Sequence, residues 1–310
     1  MAVVYEEVLA MLAERHPELV VVTAENRAAI RGLPARLGPR FIDVGICEQT
    51  MVGAAAGLAL CGRIPVCHAL ATFLTLRAYE FVRTDVGIGR LPVKLVGGVP
   101  GFLSEANGPT HQAIEDVAVM RAIPGMKIFC PSDAAELAAG MPTIVADPSP
   151  WYVRFCAAAP AVEHQLPFAP GVSEALSDGA DVTVLVYGYL VREAVAAAGL
   201  LRKRGIGARV IDLRTVVPLD EEAVLQAARG SELVVTVEDH LLRGGLFSIV
   251  AELFAERRTA ARLVPLALPR WFRPGRLADV LEVEGFTGAH LAWRIEAALR
   301  DAPGSAGRRE

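Results

Sequence analysis

Phe41–Leu60 reads FIDVGICEQTMVGAAAGLAL, and its two halves obey different rules. Phe41, Ile42 and Val44 form an apolar, strand-like entry that ends at Gly45. From Met51 to Leu60 there is no charge and no proline, and Gly53 and Gly57 stand about one helical turn apart. A helix of such small residues packs very close to a neighbour. Glu48 lies between the halves, in the first helical turn, with apolar residues on both sides. An acid there gains from the helix dipole and loses hydration. From the residues alone it is either a solvated helix-start acid or a functional carboxylate.

The strand-then-helix rhythm extends outward in both directions. Leu19–Thr23, Phe41–Val44, Ile64–His68, Val93–Val96, Lys127–Cys130 and Val153–Phe155 read as strands. Val4–Arg15, the Glu48 helix, Phe73–Thr84, Ile114–Arg121 and Ala134–Val145 read as helices, the last capped by Ser132 or Asp133. Ala157–Gly179 is rich in Ala, Pro, Ser and Gly, which places a linker at about 161–180. The rhythm then restarts, with strands at Val182–Val186, Ala208–Leu213, Leu233–Glu238 and Leu263–Leu268. Helices at Leu190–Arg204, Glu221–Ala228, Gly245–Glu256 and His290–Leu299 alternate with them. The expected fold is α/β: two doubly wound domains, 1–160 and 181–300, each a mostly parallel sheet with helices on both faces. The polar tail 301–310 is expected to be disordered.

Composition narrows the function. The 310 residues are 53% hydrophobic and 21% charged, which suits large α/β cores. A net charge of −4 points to no nucleic acid and no acidic membrane surface as partner. The longest apolar runs are interrupted well short of a membrane span. The five cysteines (47, 61, 67, 130, 156) include no C-x-x-C pair and lie in apolar settings, which implies reduced thiols in the cytoplasm. No basic-then-apolar leader precedes the first helix. Gly97-Gly98 and Gly244-Gly245 match no phosphate-binding loop.

Four segments share one further likeness: FIDVGICEQTMVGAAAGLAL, ATFLTLRAYEFVRTD, LPVKLVG and NGPTHQAIEDVAVMRAIPGMKIFCPSDAAE. In order and spacing they resemble the pyrimidine-binding half of transketolase-like, thiamine diphosphate-dependent enzymes. VYGYL, VIDLRTVVPLD and VEDHLLRGG resemble that family's C-terminal domain. The resemblance implies that Glu48 bonds the cofactor's aminopyrimidine ring and promotes loss of the thiazolium proton. A carboxyl in an apolar pocket suits this, because lost hydration lets it share a proton. Phe73, at the T-F position, would stack on the aminopyrimidine; the second aromatic common three residues on is Leu76 here. Arg77 and Tyr79 would flank the cofactor. His111 would meet the substrate oxygen beside the reacting carbon. Asn107 stands where the family usually has an aspartate that reads a substrate hydroxyl. Arg154 matches a strand-end arginine that reaches acidic substrate groups. Glu238, Asp239 and His240 read as structural, and no histidine has neighbours at metal-ligand spacing.

The family holds the diphosphate and its Mg²⁺ with a G-D-G…N signature, which this sequence lacks. The resemblance therefore implies a larger partner subunit carrying that site, in an α2β2 assembly. The implied reaction is transfer of a two-carbon ketol or acyl unit from a ketone donor to an aldehyde, ketone or carrier-bound acceptor. Two rivals are the beta subunit of a 2-oxoacid dehydrogenase and a non-catalytic scaffold. The T-H-Q motif argues against the first, and Glu48, Phe73 and His111 together argue against the second. The groups that clamp a sugar phosphate in familiar transketolases are also missing. The first helix (Val3, Val4, Tyr5) has no arginine before Arg15, Thr23–Ile30 has no serine, and Gly97–Gly101 has no histidine. Arg154 and Arg27 are the remaining anion contacts, so the expected donor is not a sugar phosphate.

Overall fold

The computed structural model describes residues 5–301; the expected helix start at Val4 and the tail beyond 301 lie outside them. Twelve strands among the described residues form two sheets. The first sheet is built from β1 (Leu19–Thr23), β2 (Phe41–Asp43), β3 (Ile64–Leu70), β4 (Lys94–Gly98), β5 (Lys127–Phe129) and β6 (Trp151–Arg154). The second contains β7 (Glu174–Ser177), β8 (Val182–Val186), β9 (Ala208–Asp212), β11 (Leu233–Leu241) and β12 (Leu263–Leu268). β10 (Thr215–Val217) follows β9 in the chain but crosses to the first sheet.

The first sheet runs β10-β5-β6-β4-β3-β1-β2, parallel except for β10, which pairs antiparallel with β5. The second runs β12-β11-β8-β9-β7, parallel except for β7 on its edge. LVVVT of β1 and VTVLV of β8 are buried at every position, as parallel strands covered on both faces must be. Two-sided burial also explains why neither strand alternates polar with apolar residues.

Three features differ from the sequence reading. The linker is not structureless, because β7 lies inside it. The sequence reading ends a strand at Leu213 and starts the next helix at Glu221, so it contains neither β10 nor the helix Leu277–Glu284. The two halves also share buried polar contacts. Within the second half, Glu238 accepts the Leu246 and Phe247 N–H groups at the start of the helix Leu246–Glu256. His240 Nε2 accepts the Ala118 N–H at 3.3 Å, joining β11 to the helix Asp116–Arg121 of the first half.

Candidate active site

The carboxyl ends of the first sheet's strands meet at one cleft. Ala24, Glu25 and Asn26 follow β1, Ile46 and Glu48 follow β2, and Leu70 and Phe73 come from the end of β3 and the turn beyond it. They line a hollow of about 260 Å³. It opens between β1 and β3, where the chain order reverses: β2 lies on one side of β1 and β3 on the other. Open α/β sheets bind ligands at such a switch point.

Glu48 is the first residue of the helix Glu48–Leu60 and only 3% exposed, so it is not a solvated cap. Arg77 Nη1 donates to its Oε2 at 3.2 Å. The same guanidinium lies over Phe73, 4.0 Å from the ring centroid. Phe73 meets His111 edge to face, with centroids 5.0 Å apart. The Thr72 hydroxyl donates to the His111 carbonyl at 2.7 Å, and Thr110 Oγ1 lies 2.9 Å from His111 Nδ1. Glu48, Arg77, Phe73 and His111 thus form one continuous set of contacts from three separate segments.

The backbone around the cleft is unusual. The helix expected over Phe73–Thr84 contains two wide turns, Phe73–Arg77 and Val82–Gly87; the Ala78 N–H reaches back five residues to the Phe73 carbonyl. Turns of this kind gather at functional sites. Glu25 and Val99 adopt left-handed conformations, with φ of 58° and 47°. Each such residue costs on the order of 1–3 kcal/mol, a strain that rigid surroundings must hold.

A smaller hollow of about 90 Å³ adjoins the first and shares Asn26 and Leu70 with it. Ala28, Ala29, Val96, Gly98, Val99, Phe155 and His68 complete its wall. His68 Nε2 lies 2.8 Å from the Tyr5 hydroxyl, and burial pushes the imidazole down to about 3 from its ordinary 6.5, so it is neutral near pH 7. A lowered value means that its contribution to stability is complete above about pH 6.5 and is lost as pH falls toward 3. Between pH 7 and pH 5 this amounts to about 2 kcal/mol. Denaturant titrations at the two pH values should show that loss, and His68→Gln should flatten it; equal slopes for both chains would assign the acid sensitivity elsewhere.

Some expected site residues lie apart from the hollows. Tyr79 is half-buried against the first sheet's core instead of lining the cleft. Asn107 is exposed at the end of Gly101–Asn107, on the loop that leads to His111. Arg27 forms an ion pair with Asp43. Arg154 requires a correction: it is 3% exposed and does not face a substrate. Its Nε donates to Asp116 Oδ2 and its Nη1 to Asp239 Oδ1, both at 2.8 Å. Asp116 also accepts the Tyr152 hydroxyl at 2.6 Å. Arg154 therefore staples β6 to β11, one half of the chain to the other. Arg154→Leu strands two buried carboxylates and should cost about 3–5 kcal/mol in denaturant unfolding. A loss below about 1 kcal/mol, the scale of an exposed ion pair, would show that the pair does not hold the halves together.

Asn26, Ile46 and Leu70 escaped the sequence reading. Their one signal is position: each lies just past or at the carboxyl end of a strand flanking the switch point.

The arrangement matches known proteins along most of its length. Residues 1–159 match the transketolase pyrimidine-binding domain and 171–291 the transketolase C-terminal domain. The chain is 40% identical to the 6-deoxy-6-sulfo-D-fructose transketolase subunit SqwH of Clostridium sp. strain MSTE9, over 81% of this chain and 80% of that one. It is 35% identical to one of the subunits of the apulose-4-phosphate transketolase of Phocaeicola vulgatus, over 84% and 85% respectively. A split gene transketolase solved as an inactive beta4 tetramer superposes with a TM-score of 0.87 at 34% identity, covering 96% of this chain and 97% of the other. The chain belongs to the transketolase family and comprises its pyrimidine-binding and C-terminal domains, as the beta chains of split transketolases do.

Proposed function

We propose that the chain is the smaller subunit of a two-component, thiamine diphosphate-dependent transketolase-like enzyme. The observation that carries this reading is the contact set Glu48–Arg77–Phe73–His111 around one hollow at the switch point. The hollow suits an aminopyrimidine: Phe73, Ile46 and Leu70 supply apolar surface, and Glu48 supplies a carboxylate out of water. It does not suit a diphosphate: among the described residues no lysine or arginine lines it, and Arg77, which touches its walls, is engaged by Glu48 and Phe73. The diphosphate and Mg²⁺ therefore fall to a larger partner subunit, with the sites between chains of an α2β2 assembly.

When bound, thiamine diphosphate supplies an electron sink for cleaving a carbon–carbon bond beside a ketone. This chain's residues do the rest of the pyrimidine-side work. Glu48 holds a proton in exchange with the ring nitrogen. Phe73 offers its face to the ring. Arg77 engages both the carboxylate and the aromatic face and would flank the ring. His111 hydrogen-bonds the substrate oxygen. All five cysteines are free thiols, in keeping with a cytoplasmic setting. No helix among the described residues is long and apolar enough to cross a membrane.

The test is reconstitution. The purified chain should neither turn over a ketone donor nor hold thiamine diphosphate with Mg²⁺ tightly, and adding the larger subunit should restore both. Turnover by this chain alone would overturn the two-component reading.

A further inference from the structure

Where the connector meets both sheets, six ionisable side chains come together away from water. Asp133 and Glu136 start the helix Ala134–Ala146, His164 comes from the connector, Glu174 opens β7, Asp212 ends β9 and Arg214 follows it. All except His164 are buried. Arg214 pairs with Glu136 and Glu174, and His164 with Glu174 and Asp133. Four carboxylates thus face one guanidinium and one imidazole. Asp212 is the least compensated: it is fully buried, and among the described residues neither carboxylate oxygen has a hydrogen-bond partner. A buried carboxylate in that state is strongly disfavoured unless a cation or a proton completes it.

One donor atom each from Glu136, His164 and Asp212 lies within 4.8 Å of the other two. His164 Nδ1 is 2.8 Å from Glu174 Oε2. A carboxylate in that position fixes the ring and turns Nε2, which lies 3.2 Å from Ser132 Oγ and 3.6 Å from Asp133 Oδ2, toward a ligating role, as second carboxylates do behind metal-bound histidines. Glu136 and His164 also line an open cleft of about 440 Å³, which gives an ion a way in.

We propose that Glu136, His164 and Asp212 bind one divalent cation of the Zn²⁺ or Mn²⁺ class. An imidazole with two carboxylates favours these ions over Ca²⁺, which prefers oxygen alone. Side-chain shifts of about 1 Å bring the three donors to metal–ligand distances of about 2.1 Å. The ion is structural. It joins the helix after β5, the connector and β9, and it uses none of the residues that line the cleft at Glu48.

The full-length chain carrying Cys47→Ser and Cys61→Ser, which removes the exposed thiols, is stripped with EDTA and titrated calorimetrically with Zn²⁺ or Mn²⁺ alone. Stoichiometric binding of one ion, with a rise in thermal midpoint that chelation reverses, is expected. Asp212→Asn and His164→Asn should each weaken binding by about a hundredfold or more. X-ray absorption of the bound ion should show mixed nitrogen and oxygen ligation, a readout that needs no variant to fold. Absence of stoichiometric binding overturns the proposal, as does unchanged affinity in His164→Asn or sulfur ligation at the ion. A rise in metal-free stability in Asp212→Asn, with no binding by the parent, would instead assign a shared proton to the cluster.

Discussion

Glu48→Gln should slow exchange of the cofactor's thiazolium proton for deuterium by about a hundredfold or more in the reconstituted complex. The substitution keeps the size of the side chain and leaves an oxygen for Arg77, so the contact that now holds Glu48 has a counterpart in the variant. What glutamine cannot do is take up and return a proton. A hundredfold effect corresponds to about 2.7 kcal/mol in the barrier, within the range of a single well-placed acid–base group. Thermal melting of the variant subunit checks that the helix Glu48–Leu60 still forms. Unchanged exchange in a folded variant would reduce Glu48 to a structural acid, and the proposed role of the hollow would fall with it.

In competition between xylulose 5-phosphate and unphosphorylated or 2-oxoacid ketones, the phosphorylated sugar should hold no large advantage in kcat/KM. Among the described residues that line the two adjoining hollows, Glu25 and Glu48 are the only charged ones and His68 is neutral; Arg77, the cation that touches these walls, is paired with Glu48. Arg154, the expected anion contact, is consumed by Asp116 and Asp239, and Arg27 by Asp43. Each charge-assisted contact to a phosphate contributes roughly 1.5–3 kcal/mol, so lacking the arginine, serine and histidine of familiar transketolases removes several orders of magnitude in affinity. Of the similar proteins, one is named for a sulfosugar and another for a phosphosugar, and both sugars carry an anionic group. A preference of about a hundredfold or more for xylulose 5-phosphate, equivalent to about 2.7 kcal/mol, would sink this reading and place the phosphate site on the larger subunit.

Much of this was legible because fully buried parallel strands leave continuous apolar runs such as LVVVT and VTVLV, which need no partner to be recognised. Elements held by distant pairing were not. The three residues of β10 form a strand only because β5 lies beside them, and β7 takes its register from β9. Glu48, Phe73 and His111 stood out through local motifs, and the folded chain brings them together. Arg154 was misread for a related reason. A strand-end arginine looks the same in sequence whether it meets a substrate or carboxylates 38 and 85 residues away. His164 had no metal-ligand spacing because its neighbours Glu136 and Asp212 come from opposite halves of the chain.

The crossing of β10 determines where this polypeptide can be cut. A fragment that ends in the connector keeps β1 to β6 but loses the strand that covers the outer side of β5. That side then presents unpaired N–H and C=O groups, a template onto which another copy can add a strand. The complementary fragment retains the residues of β10 but no sheet edge for them, and the carboxylate of Asp239 is left buried without Arg154. Limited proteolysis in the connector should therefore yield a nicked chain whose pieces stay together until denatured, and neither piece should express alone as a monodisperse protein.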